Sequence, residues 1–166
     1  GVNAGNSIAS GGNYNVVVGD EAGTAITTGD QNIAIGYVAL QSEDTGSRSI
    51  AIGYSALQNQ NNDANNYNVA VGHEAGGAIT TGVANTFIGG LAGDATDDGS
   101  YNAAVGYAAL SANCGNDNTA MGVSALAVNT AASNTAFGRA ALAANTTGTR
   151  NVALGAEALE ANTTAN

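Results

Sequence analysis

The chain has 166 residues, 44 % of them apolar, with 24 glycines, no proline, and only two residues that are Phe or Trp. Thirteen acidic residues stand against three arginines and no lysine, a net charge of −10 that excludes a phosphate-neutralising face for nucleic acid and disfavours an anionic membrane surface. No apolar run approaches the length of a membrane-spanning helix.

A fixed period organises everything else. A glycine recurs at Gly1, Gly19, Gly36, Gly53, Gly72, Gly89, Gly106, Gly122, Gly138 and Gly155, and an alanine stands three positions after each one, from Ala4 to Ala158. Intervals of 16 to 19 residues predict a stack of similar units, each burying its apolar face on its neighbours. Gly1 already occupies the motif glycine and Asn166 falls where another strand is due, so the chain reads as a piece of something longer or as a unit that stacks on its copies. The start has neither the basic residues nor the apolar stretch of a signal peptide.

In chain order, the residues before the glycines read Asn15-Val-Val-Val, Asn32-Ile-Ala-Ile, Ser49-Ile-Ala-Ile, Asn68-Val-Ala-Val and Asn85-Thr-Phe-Ile. They continue as Asn102-Ala-Ala-Val, Asn118-Thr-Ala-Met, Asn134-Thr-Ala-Phe and Asn151-Val-Ala-Leu. Short β-branched runs bounded by Asn and Gly predict strands whose alternate side chains face opposite ways. The residue before the glycine is always large and apolar, which points to a core column of Val18, Ile35, Ile52, Val71, Ile88, Val105, Met121, Phe137 and Leu154. Ile35→Ala would then open a cavity costing about 2–5 kcal/mol. The central residue, mostly Ala, falls on the other face and implies close packing against the far wall of the coil or another subunit. All acidic residues lie outside the strand motifs, in turns and loops.

After the glycine the units divide. Six continue Ala-Leu, as in Ala39-Leu40, and four continue Ala-Gly, at Gly5, Gly23, Gly76 and Gly93. Three of those four supply an aliphatic side chain three residues later, Ile8, Ile26 or Ile79, whereas the segment from Asp94 to Asp98 supplies none. Runs such as Ala140-Ala-Leu-Ala-Ala144 have high helix propensity, so a second strand or one short helical turn per coil are both open. The expected fold is all-β, a β-solenoid or parallel β-roll of nine to ten coils, about 45 Å long at a strand spacing near 4.8 Å.

Asn15, Asn32, Asn68, Asn85, Asn102, Asn118, Asn134 and Asn151 open their strands and predict a ladder in which stacked side-chain amides bond between coils. Chemistry-bearing residues are sparse. His73 is the lone histidine and takes the position held by Tyr37, Tyr54 and Tyr107, a column suited to stacking or to contact with a sugar. One histidine supports neither a catalytic relay nor a multi-histidine metal site. Asp94, Asp97 and Asp98 are weak calcium candidates without the spacing of a calcium loop. Asn145 and Asn162 match the glycosylation acceptor pattern. Thr86, Thr119 and Thr135 supply part of a threonine column, on the face expected to be core. Cys114 has no partner for an intrachain disulfide.

The pattern Asn-Ser/Thr-x-Ala-Ile/Val-Gly-x-x-Ala resembles the head repeats of trimeric autotransporter adhesins, and the longer form Asn134-Thr-Ala-Phe-Gly-Arg-Ala-Ala-Leu-Ala-Ala-Asn-Thr-Thr-Gly148 resembles repeats of bacteriophage tail fibres. The resemblance implies parallel β-rolls that associate as trimers in a cell-surface or virion fibre. The expected function is a non-catalytic fibre segment without cofactors, partnered by copies of itself and by surface glycans. A homopolymeric extracellular filament is the alternative, and an ice- or carbohydrate-binding solenoid the second.

Overall fold

The computed structural model describes residues 1–166. Nine three-residue strands stack in sequence order into one parallel sheet. They are β1 (Val16–Val18), β2 (Ile33–Ile35), β3 (Ile50–Ile52), β4 (Val69–Val71), β5 (Thr86–Ile88), β6 (Ala103–Val105), β7 (Thr119–Met121), β8 (Thr135–Phe137) and β9 (Val152–Leu154). Every pairing keeps the repeat in register, Ile35 beside Ile52 and Ala51 beside Ala70, for example. The chain is a β-solenoid, with the turn of a further unit (Gly5 N–H donating to the Ala22 carbonyl) stacked below β1. Nine strands at a spacing of about 4.8 Å span roughly 40 Å.

Most of the stacking lies outside the strands. Of 96 backbone hydrogen bonds, 80 lie in turns and connections, such as Leu40 N–H to Ala56 O and Ser42 N–H to Gln58 O. The whole circumference is therefore a ladder, and the short strands are its straight side. The helical-turn alternative fails on dihedrals. The second and fourth residues after each glycine are left-handed, as in Val38 (φ 51) and Leu40 (φ 50), and the helix-prone Ala140–Ala144 run has Ala140 at 56 and Leu142 at 51. An α-helix needs consecutive φ near −63°. Stacking overrides propensity here.

The corner glycine is required twice over. Gly36 has φ 137, and a Cβ on it would collide with the Gly53 carbonyl of the next coil. The chain turns there so closely over its neighbour that only a hydrogen fits.

The core is not the one expected from residue size. The column before the glycine points outward: Val18 is 54 % exposed and Leu154 78 %, with Ile88, Met121 and Phe137 also exposed and Ile35, Ile52, Val71 and Val105 half-buried. The central column is the buried one, Ala34, Ala51, Ala70, Phe87, Ala104, Ala120 and Ala136 among it. It packs in one cluster with the alanines three residues after each glycine (Ala22, Ala39, Ala56 and onward) and with Leu40, Leu57, Leu110, Leu126 and Leu142. A coil of about 17 residues leaves room for one large side chain per layer, and the leucine takes it. Two facing alanine columns fit what remains.

Where that leucine is glycine, others fill the space. The Ile26 Cδ1 would lie 2.9 Å from a Cβ on Gly23, and Ile79 does the same service at Gly76. At Gly93, where the sequence offered no substitute, the ring of Phe87 enters, 2.5 Å from where a Cβ would be. Val17 leans over Gly5 and Gly23 in the same way. The two departures from alanine in the central column thus answer the missing leucines.

The asparagine ladder forms, by a different bonding pattern. Each Oδ1 accepts the backbone N–H of the equivalent residue in the next coil: Asn32 N–H to Asn15 (2.8 Å), Asn85 N–H to Asn68 (2.9 Å), Asn102 N–H to Asn85 (2.9 Å), Asn151 N–H to Asn134 (2.9 Å). The Nδ2 groups donate across their own coils to carbonyls such as Gly46, Gly82 and Gly99. Between successive ladder asparagines only Asn118 bonds amide to amide, at 3.2 Å to Asn102. At Ser49, where asparagine is absent, Gln60 takes over, donating to Ser49 Oγ and accepting from Asn68 Nδ2.

A second polar row runs inside, seven residues after the glycine. Glu43 is fully buried and accepts from Gly46 N–H (2.8 Å), Gln60 Nε2 (2.8 Å) and Asn66 Nδ2 (2.9 Å). Burial still pushes its carboxyl above the ordinary range, against the lowering pull of those bonds. Further along, Asn145 Nδ2 donates to Asn129 Oδ1 (2.8 Å) and to Gly148 O (3.0 Å).

Candidate functional site

The outward face of the sheet is the surface that stands apart. It carries two residues from each strand, the first and third, from Val16 and Val18 to Val152 and Leu154. Fifteen of the eighteen are apolar, three are threonine, and none is charged, in a chain of net charge −10. In-register stacking places like on like at about 4.8 Å, so mid-sheet side chains shield one another's flanks and present their tips. The result is a flat, ribbed apolar strip that no part of this chain covers. Contiguous apolar surface of this kind marks an interaction site.

Aromatic residues stand at intervals along both of its edges. After the corner glycine, Tyr37 stacks on Tyr54 at 5.7 Å between ring centroids, and Tyr54 on His73 at 4.8 Å. At the other edge are exposed Tyr14, Tyr67 and Tyr101, with the Arg48 guanidinium 5.7 Å over the Tyr67 ring. Both faces of Tyr54 are therefore occupied within the column, which leaves edges and hydroxyls outward. The packing reading of this column is the one the geometry supports.

Other residues singled out from sequence scatter. Asp97 accepts from the Thr80 hydroxyl in an exposed position, Asp98 is exposed, and Asp94 lies half-buried on another part of the coil. No three acidic, histidine or cysteine groups come within reach of one ion. Asn145 is fully buried with its Nδ2 bonded inside the coil, so the nitrogen a glycan would need is inaccessible in the folded chain, while Asn162 is half-buried. Thr86, Thr119 and Thr135 lie on the outward face rather than in the core. Cys114 is buried 3.3 Å from Thr96 Oγ1, and burial pushes its thiol up.

No family model, curated protein or solved structure matches the chain. The site must be read from its own geometry. A strip without acid, base or nucleophile offers shape and apolar area rather than catalytic chemistry.

Proposed function

We propose that the chain is a non-catalytic structural unit, the shaft or adhesive segment of an extracellular or viral fibre, and that it packs against copies of itself through the outward face of the sheet. The observation that carries this reading is the uncharged ribbed strip running past all nine strands. A second copy is the occupant that fits it best, because both strips then share one rib spacing and can interlock along their whole length. With the aromatic rims the strip measures roughly 40 by 20 Å, about 800 Å² per partner, the size of a standard stable interface. The strand face itself carries no acidic residue, and of the acids only Asp20 and Asp117 fall in the rim rows, so pairing brings few like charges together. The likeness of the repeats to adhesin and tail-fibre repeats points the same way and implies three chains around the axis.

The test is mass determination and negative-stain electron microscopy of the parent chain beside an Ile35→Glu/Val71→Glu variant. Both substituted residues face outward, so the variant keeps its β circular dichroism. The parent forms discrete rods of several chains, three on the adhesin analogy, and the variant is monomeric. A monomeric parent at high micromolar concentration sinks the proposal, as does a variant that assembles equally well. Filaments that lengthen with concentration would favour the end-to-end polymer instead. Three threonines among eighteen positions do not make the matched rows an ice-binding face requires.

A further inference from the structure

The fifth residue after each corner glycine forms a half-buried polar row separate from the sheet face, in which Gln41, Gln58, Gly77, Asp94 and Ser111 follow one another. Gln58 Nε2 donates to Gln41 Oε1 (3.1 Å), and Gln41 Nε2 donates to Glu21 Oε2 (2.7 Å). The row breaks at Gly77. The backbone conformation does not demand glycine there: unlike Gly76 (φ +57), Gly77 lies outside the left-handed region, and a Cβ on it would stand 3.3 Å from the Glu74 and Ser55 carbonyl oxygens, a tight contact that a small shift relieves. The missing side chain leaves the molecule's one pocket, about 300 Å³, lined by Gln58 and Asn59 on one side, Asp94 on the other, and by Tyr54 and Glu74. At its edge the Oδ1 of Asp94 is buried and has no hydrogen-bond partner.

We infer that the gap at Gly77 is a binding subsite for one ring of a neutral saccharide. The size is the first reason: 300 Å³ is at the lower end of small-ligand sites and suits a single pyranose. The polarity is the second. The Asp94 and Glu74 carboxylates line the slot, and Gln58, whose Nε2 is engaged by Gln41, has its Oε1 left to accept. A sugar ring brings several hydroxyl donors to these acceptors and can accept in return from the Asn59 amide, as no lone cation or apolar group can. A bare cation would need oxygens converging at about 2.3–2.6 Å, and no three acidic, histidine or cysteine groups come within reach of one ion here. Charge is the third reason. No arginine or lysine lines the slot, so a sugar acid would meet two carboxylates unaided. Burial and the neighbouring Glu74 charge raise the Asp94 carboxyl above its ordinary range, and a bound hydroxyl would replace the lost water. The inference does not depend on self-association.

Saturation-transfer NMR on the full chain tests it, with methyl pyranosides of the gluco, galacto, manno and N-acetylglucosamine series, glucuronate and sialic acid as anionic probes, and glucosamine and calcium as cationic ones. At least one neutral pyranoside binds with a Kd on the order of millimolar, as expected for a single ring in an open site. Gly77→Gln, which restores the row, weakens it tenfold or more, and Asp94→Asn weakens it with unchanged thermal stability. The second variant decides the matter should the first fail to fold. No binding of any neutral pyranoside, equal binding by the variants, or preference for the anionic or cationic probes overturns the inference.

Discussion

The inversion of the strand faces is tested within a single coil, by Leu57→Ala against Ile52→Ala. Leu57 is fully buried in the core cluster, between the Leu40 and Gly76 layers, and Ile52 is half-buried on the outward face. Truncating Leu57 removes a buried isobutyl group and leaves a cavity between facing alanine walls that are already at their smallest side chain. The coil cannot close over it without moving backbone ladders on both sides, so the cost is about 2–5 kcal/mol. Truncating Ile52 removes three carbons that are partly exposed, worth about 1–2 kcal/mol at roughly 0.8 kcal/mol per buried carbon. With a urea m-value near 2 kcal/mol/M, the midpoints fall by about 1–2.5 M and about 0.5–1 M respectively. The assay is urea unfolding followed by circular dichroism over a range of dilutions. A contribution of Ile52 to an interface changes with concentration, whereas the Leu57 cavity does not. If Ile52→Ala at high dilution costs as much as Leu57→Ala with unchanged m, the orientation of the sheet is wrong.

Two further outcomes follow from the polar interior. Glu43 keeps its proton to higher pH in the folded chain than in the unfolded one, so over that window the folded state binds more protons and stability falls as pH rises from about 4.5. Glu43→Gln removes this slope, and its melting temperature relative to the parent climbs with pH and then levels off; a constant difference would refute the assignment. Asn85→Ala strands the buried N–H of Asn102 and the Gly99 carbonyl, at about 1–3 kcal/mol for each orphaned group, and is read by the same urea assay. A cost below about 1 kcal/mol would mean that the ladder is ornamental.

Much of this was legible in the residues. The spacing of glycines and alanines specifies a stack of coils, because each unit must present the same side chain at the same step to bury it. The exchange of Leu40-type for Ile26-type filling is readable for the same reason: removal of one aliphatic group has to be answered in the same layer. The asparagines announced a ladder, though which atoms bond depended on the backbone N–H of the next coil lying opposite Oδ1, a distance that only stacking sets. The buried position of Asn145 was hidden because an acceptor motif reads the same inside a coil as outside it. The slot at Gly77 was equally hidden, since a glycine in a glycine-rich repeat gives no sign that its neighbours in the stack carry side chains.

By itself, then, the sequence determined the period, the parallel in-register stacking, the polar corners and the absence of room for a broad core. Only the tertiary structure decided which strand face is inside. Alternation along a strand defines two faces equally well, and the habit of placing the larger residue inward assumes an interior wide enough to take it. Closing the chain every 17 residues or so brings the walls so near that alanine fills the gap, and the valines and isoleucines are left on the surface.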